Sequence, residues 1–177
     1  DLEAEVQAGE LDESTDEYAI SIAASLAQRY LGAELPVGLI GYGAERYYLS
    51  GETGAGQLNR ILHYLALSKA EGHTPLQVAI AREEPLWDHQ SSLVVITPSP
   101  REEWAIGLRE LTKRGVKVVV VLVDGSSFGG ALNTLDVLEA LFRTGLPSFV
   151  VKKGDDIPAA LSRRRDGLWS PILRELE

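Results

Sequence analysis

Two uninterrupted apolar runs, SSLVVIT from Ser91 to Thr97 and VKVVVVLV from Val116 to Val123, constrain this chain more than any other feature. Neither alternates polar with apolar residues, so neither suits a strand with one wet face. Such runs belong to strands covered on both faces, as in the middle of a parallel sheet. The intervening PSPREEWAIGLRELTKRG has the marks of a helix: Ser99 and Glu102 form an S-x-x-E capping box around Pro100. Trp104, Ile106, Leu108 and Leu111 form an apolar stripe, and Gly115 stands where a left-handed residue ends a helix. A strand–helix–strand unit of this kind crosses over right-handed, and open α/β sheets bind ligands at the loops on the carboxyl ends of their strands. The fold class is α/β.

The rest of the chain extends that unit. Ser14 and Glu17 predict a second capping box, and Ala19, Ile22, Ala23, Leu26, Ala27 and Tyr30 recur at helical spacing until Gly32. A strand is expected from Val37 to Tyr42, followed by a tight turn and an antiparallel edge strand over Arg46–Ser50. Gln57–Glu71 reads as a helix burying Leu58, Ile61, Leu62, Leu65 and Ala66, and Thr74 as the cap of the next one, with Pro75 in its first position. Beyond Asp124 the pattern predicts a helix over Leu132–Thr144 with Leu135, Leu138 and Leu141 inside, a strand over Ser148–Val151 and a short helix from Asp156 to Arg164. The tail from Trp169 to Glu177 reads as a final turn packed through Trp169 and Ile172. No repeat or linker divides the 177 residues, so they are taken as a single domain.

Charge and composition narrow the function. A net charge of -9 argues against nucleic acid, which needs clustered Lys and Arg. With no Cys there is neither a disulfide nor a thiolate nucleophile nor a Cys-based zinc site. No apolar run approaches the roughly 20 residues of a membrane helix. Eight acids and no base fill the first 17 residues, a composition that reads as a solvated loop.

Few constellations suggest chemistry. GETGAG lacks the Gly-Lys-Ser/Thr of a phosphate loop, and no G-x-S-x-G offers a nucleophile elbow. His63, His73 and His89 have no metal-ligand spacing, and Ser25 lies mid-helix without a base beside it. Arg163–Arg165 reads as a solvated basic end of a helix. The VDGSSFGG segment puts Asp124 at a strand's carboxyl end, where it can cap its own turn or cradle a small ligand. A nucleotide-binding enzyme using the Asp124–Gly130 loop is the alternative functional class.

The order of DEYAISIAASLAQRYL, LPVGLIGYG, GQLNRILHYLALSKAEGHTPL, LVVITPSP with its following EW, VVVVLVD and SFGG resembles bacterial family 58 among domains of unknown function, a von Willebrand factor A-like family. The resemblance implies a Rossmann-like, mostly parallel sheet with helices on both faces and one antiparallel edge strand. It also implies that a central first strand, ending just before Asp1, is missing from this sequence. Many such domains hold Mg²⁺ through an Asp-x-Ser-x-Ser loop, a Thr and a further Asp. Here DLEAE keeps Asp1 but has Glu3 and Glu5 for the serines, Thr74 matches the Thr, and Pro98 and Ser99 stand where the last Asp would be. The implied metal site, on Asp1, Glu3 and Thr74, is therefore degenerate, and no cofactor is expected. What remains is a non-enzymatic interaction module engaging a protein through Glu3, Thr74, Ser99 and Asp124. The family's usual gene neighbour makes a MoxR-type AAA+ ATPase the implied partner. Its usual architecture implies a membrane-anchored parent with this domain on the cytoplasmic side.

Overall fold

The computed structural model describes residues 1–130 and 133–162. After a short 3-10 turn at Ala4–Val6, the chain makes a small antiparallel hairpin of β1 (Gly9–Glu10) and β2 (Glu13–Ser14) and enters α1 (Thr15–Gly32). Ser14 is the N-cap residue of α1, but its side chain makes no capping bond. Thr15 joins that helix start to the amino-terminal segment instead, its Oγ1 donating to Gln7 Oε1 at 2.7 Å and accepting from Ala8 N at 3.0 Å.

Next come β3 (Val37–Tyr42) and β4 (Arg46–Glu52), paired antiparallel as expected. The register places Val37 opposite Glu52 but Leu39 opposite Leu49, so a bulge at Ser50–Gly51 faces Gly38. A Cβ on Gly38 would lie 2.7 Å from Leu49 O, which explains the glycine. Gln57, at the start of α2 (Ala55–Leu67), closes the bulge by donating Nε2 to Val37 O at 2.6 Å and Ser50 O at 2.8 Å. The expected helix to Glu71 stops at Leu67 because Ser68 turns extended and returns its hydroxyl to Tyr64 O. Leu62 and Ala66 of α2 face outward rather than inward.

Helix α3 (Leu76–Glu83) has Pro75 as its N-cap, so Thr74 precedes the helix rather than capping it. The strand–helix–strand unit follows as β5 (Ser92–Thr97), α4 (Glu103–Lys113) and β6 (Lys117–Val123), its strands parallel in register from Ser92 opposite Lys117 to Thr97 opposite Leu122. Here the N-cap is Glu102, not Ser99, and Ile106 is 61% exposed. A 3-10 turn at Gly125–Phe128 leads to α5 (Leu135–Thr144), β7 (Ser148–Val151) parallel to β6, and α6 (Ile157–Ser162). Leu135, expected inside, is exposed. The readings for Leu132, Arg163–Arg165 and the Trp169–Glu177 tail lie outside the described residues.

Strand β6 is the centre of the three-stranded sheet, and its side chains divide by parity. Val118, Val120 and Leu122 enter one core with Trp104, Leu108 and Leu111 of α4, Ile80 of α3 and Val137 and Leu141 of α5. Val121 and Val123 enter a second core with Ala19 and Ile22 of α1, Phe128 and Ala160 of α6. Both faces are thus covered by helices, as the unalternating apolar run requires. A third cluster joins Ala27 and Leu31 of α1 to Ile61 and Leu65 of α2 and the inner face of the β3–β4 pair. Among the described residues no helix is long and apolar enough to cross a membrane.

Candidate functional site

The carboxyl ends of β5 and β6 form a rim over which the amino-terminal segment is laid. Asp1 N donates to Ile96 O at 3.0 Å, and the Asp1 carboxylate accepts from Thr97 Oγ1 at 2.6 Å and from Glu3 N at 3.1 Å. Thr97 Oγ1 also accepts from Ser99 N at 2.9 Å. That hydroxyl fixes the start of the TPSP loop, and α4 begins only at Glu103, beyond the reach of a cap at Ser99. On its other side the segment pairs with the loop before α3: Gly72 N donates to Leu2 O at 2.9 Å and Ala4 N to Gly72 O at 2.8 Å. Gly72 permits this approach, since a Cβ there would run into Tyr42 O and lie 2.8 Å from Leu2 O. Thr74 is two residues beyond, so its loop borders Asp1–Glu3.

The acids of this segment are not all solvated. Glu3 is only 2% exposed, and Arg101 NH1 meets its Oε1 at 2.6 Å while NH2 meets Glu5 Oε2 at 2.9 Å. Hydrogen bonding to Glu3 is the main cause holding the Arg101 guanidinium above the usual arginine pKa, so it stays charged. A lone carboxylate buried this far would be costly, and Arg101 is its counter-charge. Two oxygens nearby remain without hydrogen-bond partners: Glu3 Oε2 and Ser99 Oγ, both buried.

Asp124, at the end of β6, is committed within its own loop. Its Oδ1 accepts from Ser126 N at 3.2 Å, Ser126 Oγ at 2.6 Å and Thr134 Oγ1 at 2.9 Å, while Lys152 Nζ lies 3.9 Å from Oδ2. The turn-capping arrangement is the one present. Between this loop, the two prolines of TPSP and the segment Glu5–Ala8 lies a cavity of about 230 Å³, with Gly125, Gly130 and Thr134 on its far wall.

The structure therefore gathers the residues singled out from sequence, Asp1, Glu3, Ser99 and the loop of Thr74, at one end of the sheet, with Asp124 at the neighbouring strand end. Ser99 at 1% and Asp124 at 6% exposure, like Glu3, shape this rim from beneath rather than face solvent. The donor set does not suit the implied Mg²⁺. Both Asp1 oxygens and Glu3 Oε1 are already engaged, a guanidinium neutralises the two glutamates, and no group of three His, Asp or Glu is placed to hold a metal among the described residues. Arg101, Thr97 and Gly72, which organise the rim, carry no signal of that role in the sequence. Comparison with protein-family models, with curated proteins and with solved structures finds no match for this chain.

Proposed function

We propose that this chain is a von Willebrand factor A-like domain of bacterial family 58, acting as a non-enzymatic protein-interaction module with a degenerate metal site, and that its partner is a MoxR-type AAA+ ATPase. The observation that carries this reading is the convergence of Glu5–Ala8, the TPSP prolines Pro98 and Pro100, and Gly125, Gly130 and Thr134 on one cavity at the carboxyl end of a parallel sheet. In open α/β sheets that end is the binding end. Its polar groups are largely spent on one another, which favours a preformed docking surface over a reacting centre.

The finer fold assignment has its own support. Helix α1 packs on both β3 and β5, yet these strands belong to separate sheets, and among the described residues neither has a ladder partner on its second edge. The resemblance puts a further strand there. The Asp1 N to Ile96 O bond, at the carboxyl end of β5, supports that reading. Membrane anchoring of the parent, with this domain on the cytoplasmic side, belongs to the same proposal.

The test is reconstitution with the MoxR-type ATPase of the same host, followed by size-exclusion chromatography and calorimetry. A complex of about micromolar affinity, weakened at least about tenfold by Ala4→Trp on the exposed rim, is the expected result. Failure to co-elute at tens of micromolar, or a complex indifferent to rim substitutions, refutes the reading.

A further inference from the structure

We infer that Arg101 is the resident cation of this rim: its guanidinium sits where a divalent ion would otherwise neutralise Glu3 and Glu5, so the rim is built to work without metal. The chain supplies its own positive charge from the loop after β5, 98 residues from Glu3 in sequence. Thr97 Oγ1, pinned to Asp1 and to Ser99 N, sets the path of that loop so that Arg101 returns over the amino-terminal segment. Glu3 is buried and its Oε1 has Arg101 as its partner, whereas Glu5 is 73% exposed and contributes from the solvent side. The inner contact therefore decides the arrangement. Arg101 is a positioning residue that closes Asp1–Glu5 onto the β5 loop.

The two unpartnered buried oxygens make the inference testable. Glu3 Oε2 and Ser99 Oγ are hard donors of the type that Mg²⁺ and Mn²⁺ prefer. Removing the guanidinium while keeping an aliphatic stem strands the Glu3 charge and leaves these oxygens to an external cation. The wild-type chain should then ignore divalent ions, and Arg101→Met should respond to them.

The inference rests on the proposed family reading only for where a metal would sit. The experiment uses the chain alone, so failure to bind an ATPase leaves it untouched. Thermal unfolding is measured in EDTA and in about 10 mM MnCl₂, with Mn²⁺ calorimetry in parallel, on wild type, Arg101→Met and Arg101→Lys. Wild type and Arg101→Lys should show the same Tm in both buffers to within about 1 °C. Arg101→Met should lose several degrees in EDTA, recover at least half of that loss in Mn²⁺, and bind Mn²⁺ with millimolar or tighter affinity. Should Arg101→Met fail to fold, Arg101→Met with Glu3→Gln removes the stranded charge and should fold and remain indifferent to Mn²⁺. Wild-type binding of Mn²⁺ tighter than about 1 mM overturns the inference, as does an Arg101→Met variant that keeps its Tm in EDTA or gains nothing from Mn²⁺.

Discussion

Arg46→Met probes the most deeply buried ion pair outside the rim. Arg46 grips Glu83 with both arms, Nε to Oε1 at 2.6 Å and NH2 to Oε2 at 2.7 Å, and Tyr42 donates its hydroxyl to Oε1 at 2.5 Å. The Glu83 side chain is 4% exposed, so these bonds tie the β3–β4 hairpin to the end of α3. The hydrogen bond from Arg46 is the leading cause holding the Glu83 carboxyl below its usual pKa, and burial works against it. Because the folded pKa is depressed, Glu83 contributes stability that is present above the unfolded value and lost as pH falls through the folded one. In Arg46→Met the leading cause is gone and burial is the largest cause left, so the folded pKa rises and the stability that Glu83 contributes above its unfolded value shrinks. A buried carboxylate deprived of its partner costs about 3–5 kcal/mol. Tyr42 and solvent reaching the Arg46 end place Glu83 near the lower limit, about 3 kcal/mol at pH 7. For 177 residues that is a fall in Tm of roughly 6–12 °C. The measurement is the difference in urea-unfolding free energy between wild type and variant from pH 7 to pH 4, in which contributions common to both proteins cancel. It should shrink towards about 1 kcal/mol on acidification. A difference that stays flat or grows as pH falls refutes the assignment of the cost to a stranded Glu83 charge.

Gly72→Ala should loosen the amino-terminal segment, because the new methyl collides with the Tyr42 and Leu2 carbonyls; hydrogen exchange at Leu2–Ala8 should accelerate at least about tenfold while β6 amides change far less. On α4, Leu108→Ala should cost about 2–5 kcal/mol by leaving a cavity in the largest core, whereas Ile106→Ala, two residues away but outward-facing, should stay within about 0.5 kcal/mol; both are read by urea unfolding.

The parts of the fold legible in the sequence are those set by local periodicity. The run Val118–Val123 declares a strand covered on both faces, and its neighbours divide between two cores by parity as the pleat requires. Ile106 lies off the apolar stripe of its helix for a readable reason: Trp104, Leu108 and Leu111 follow a four-then-three spacing, which puts Ile106 on the opposite side. The rim was hidden for a different reason. Glu3 looks like one more solvated acid among eight until Arg101 arrives, and Ser99 looks like a cap although the helix starts only at Glu103. The Glu3–Arg101 pairing joins residues 98 positions apart, so no window of sequence contains both partners, and Thr97 in turn is held by Asp1 from 96 positions away. Asp124 was readable because its partners Ser126 and Thr134 lie close by along the chain.

Helix α1 links otherwise separate clusters. Its Ala19 and Ile22 belong with β6, whereas Ala27 and Leu31, two turns on, belong with α2 and the hairpin. One rigid rod thus acts as a shared axle between two bodies. A subglobal opening of the hairpin layer must either fray the axle's far end or carry the whole rod out of the sheet's core. The first route leaves the Thr15–Ile22 half clamped, so the helix should exchange its amides in two steps, divided near Ala24, rather than as one block. Mechanical strain applied at β3 or β4 would therefore reach the sheet by two routes, the clamped half of α1 and the Arg46–Glu83 tie to α3.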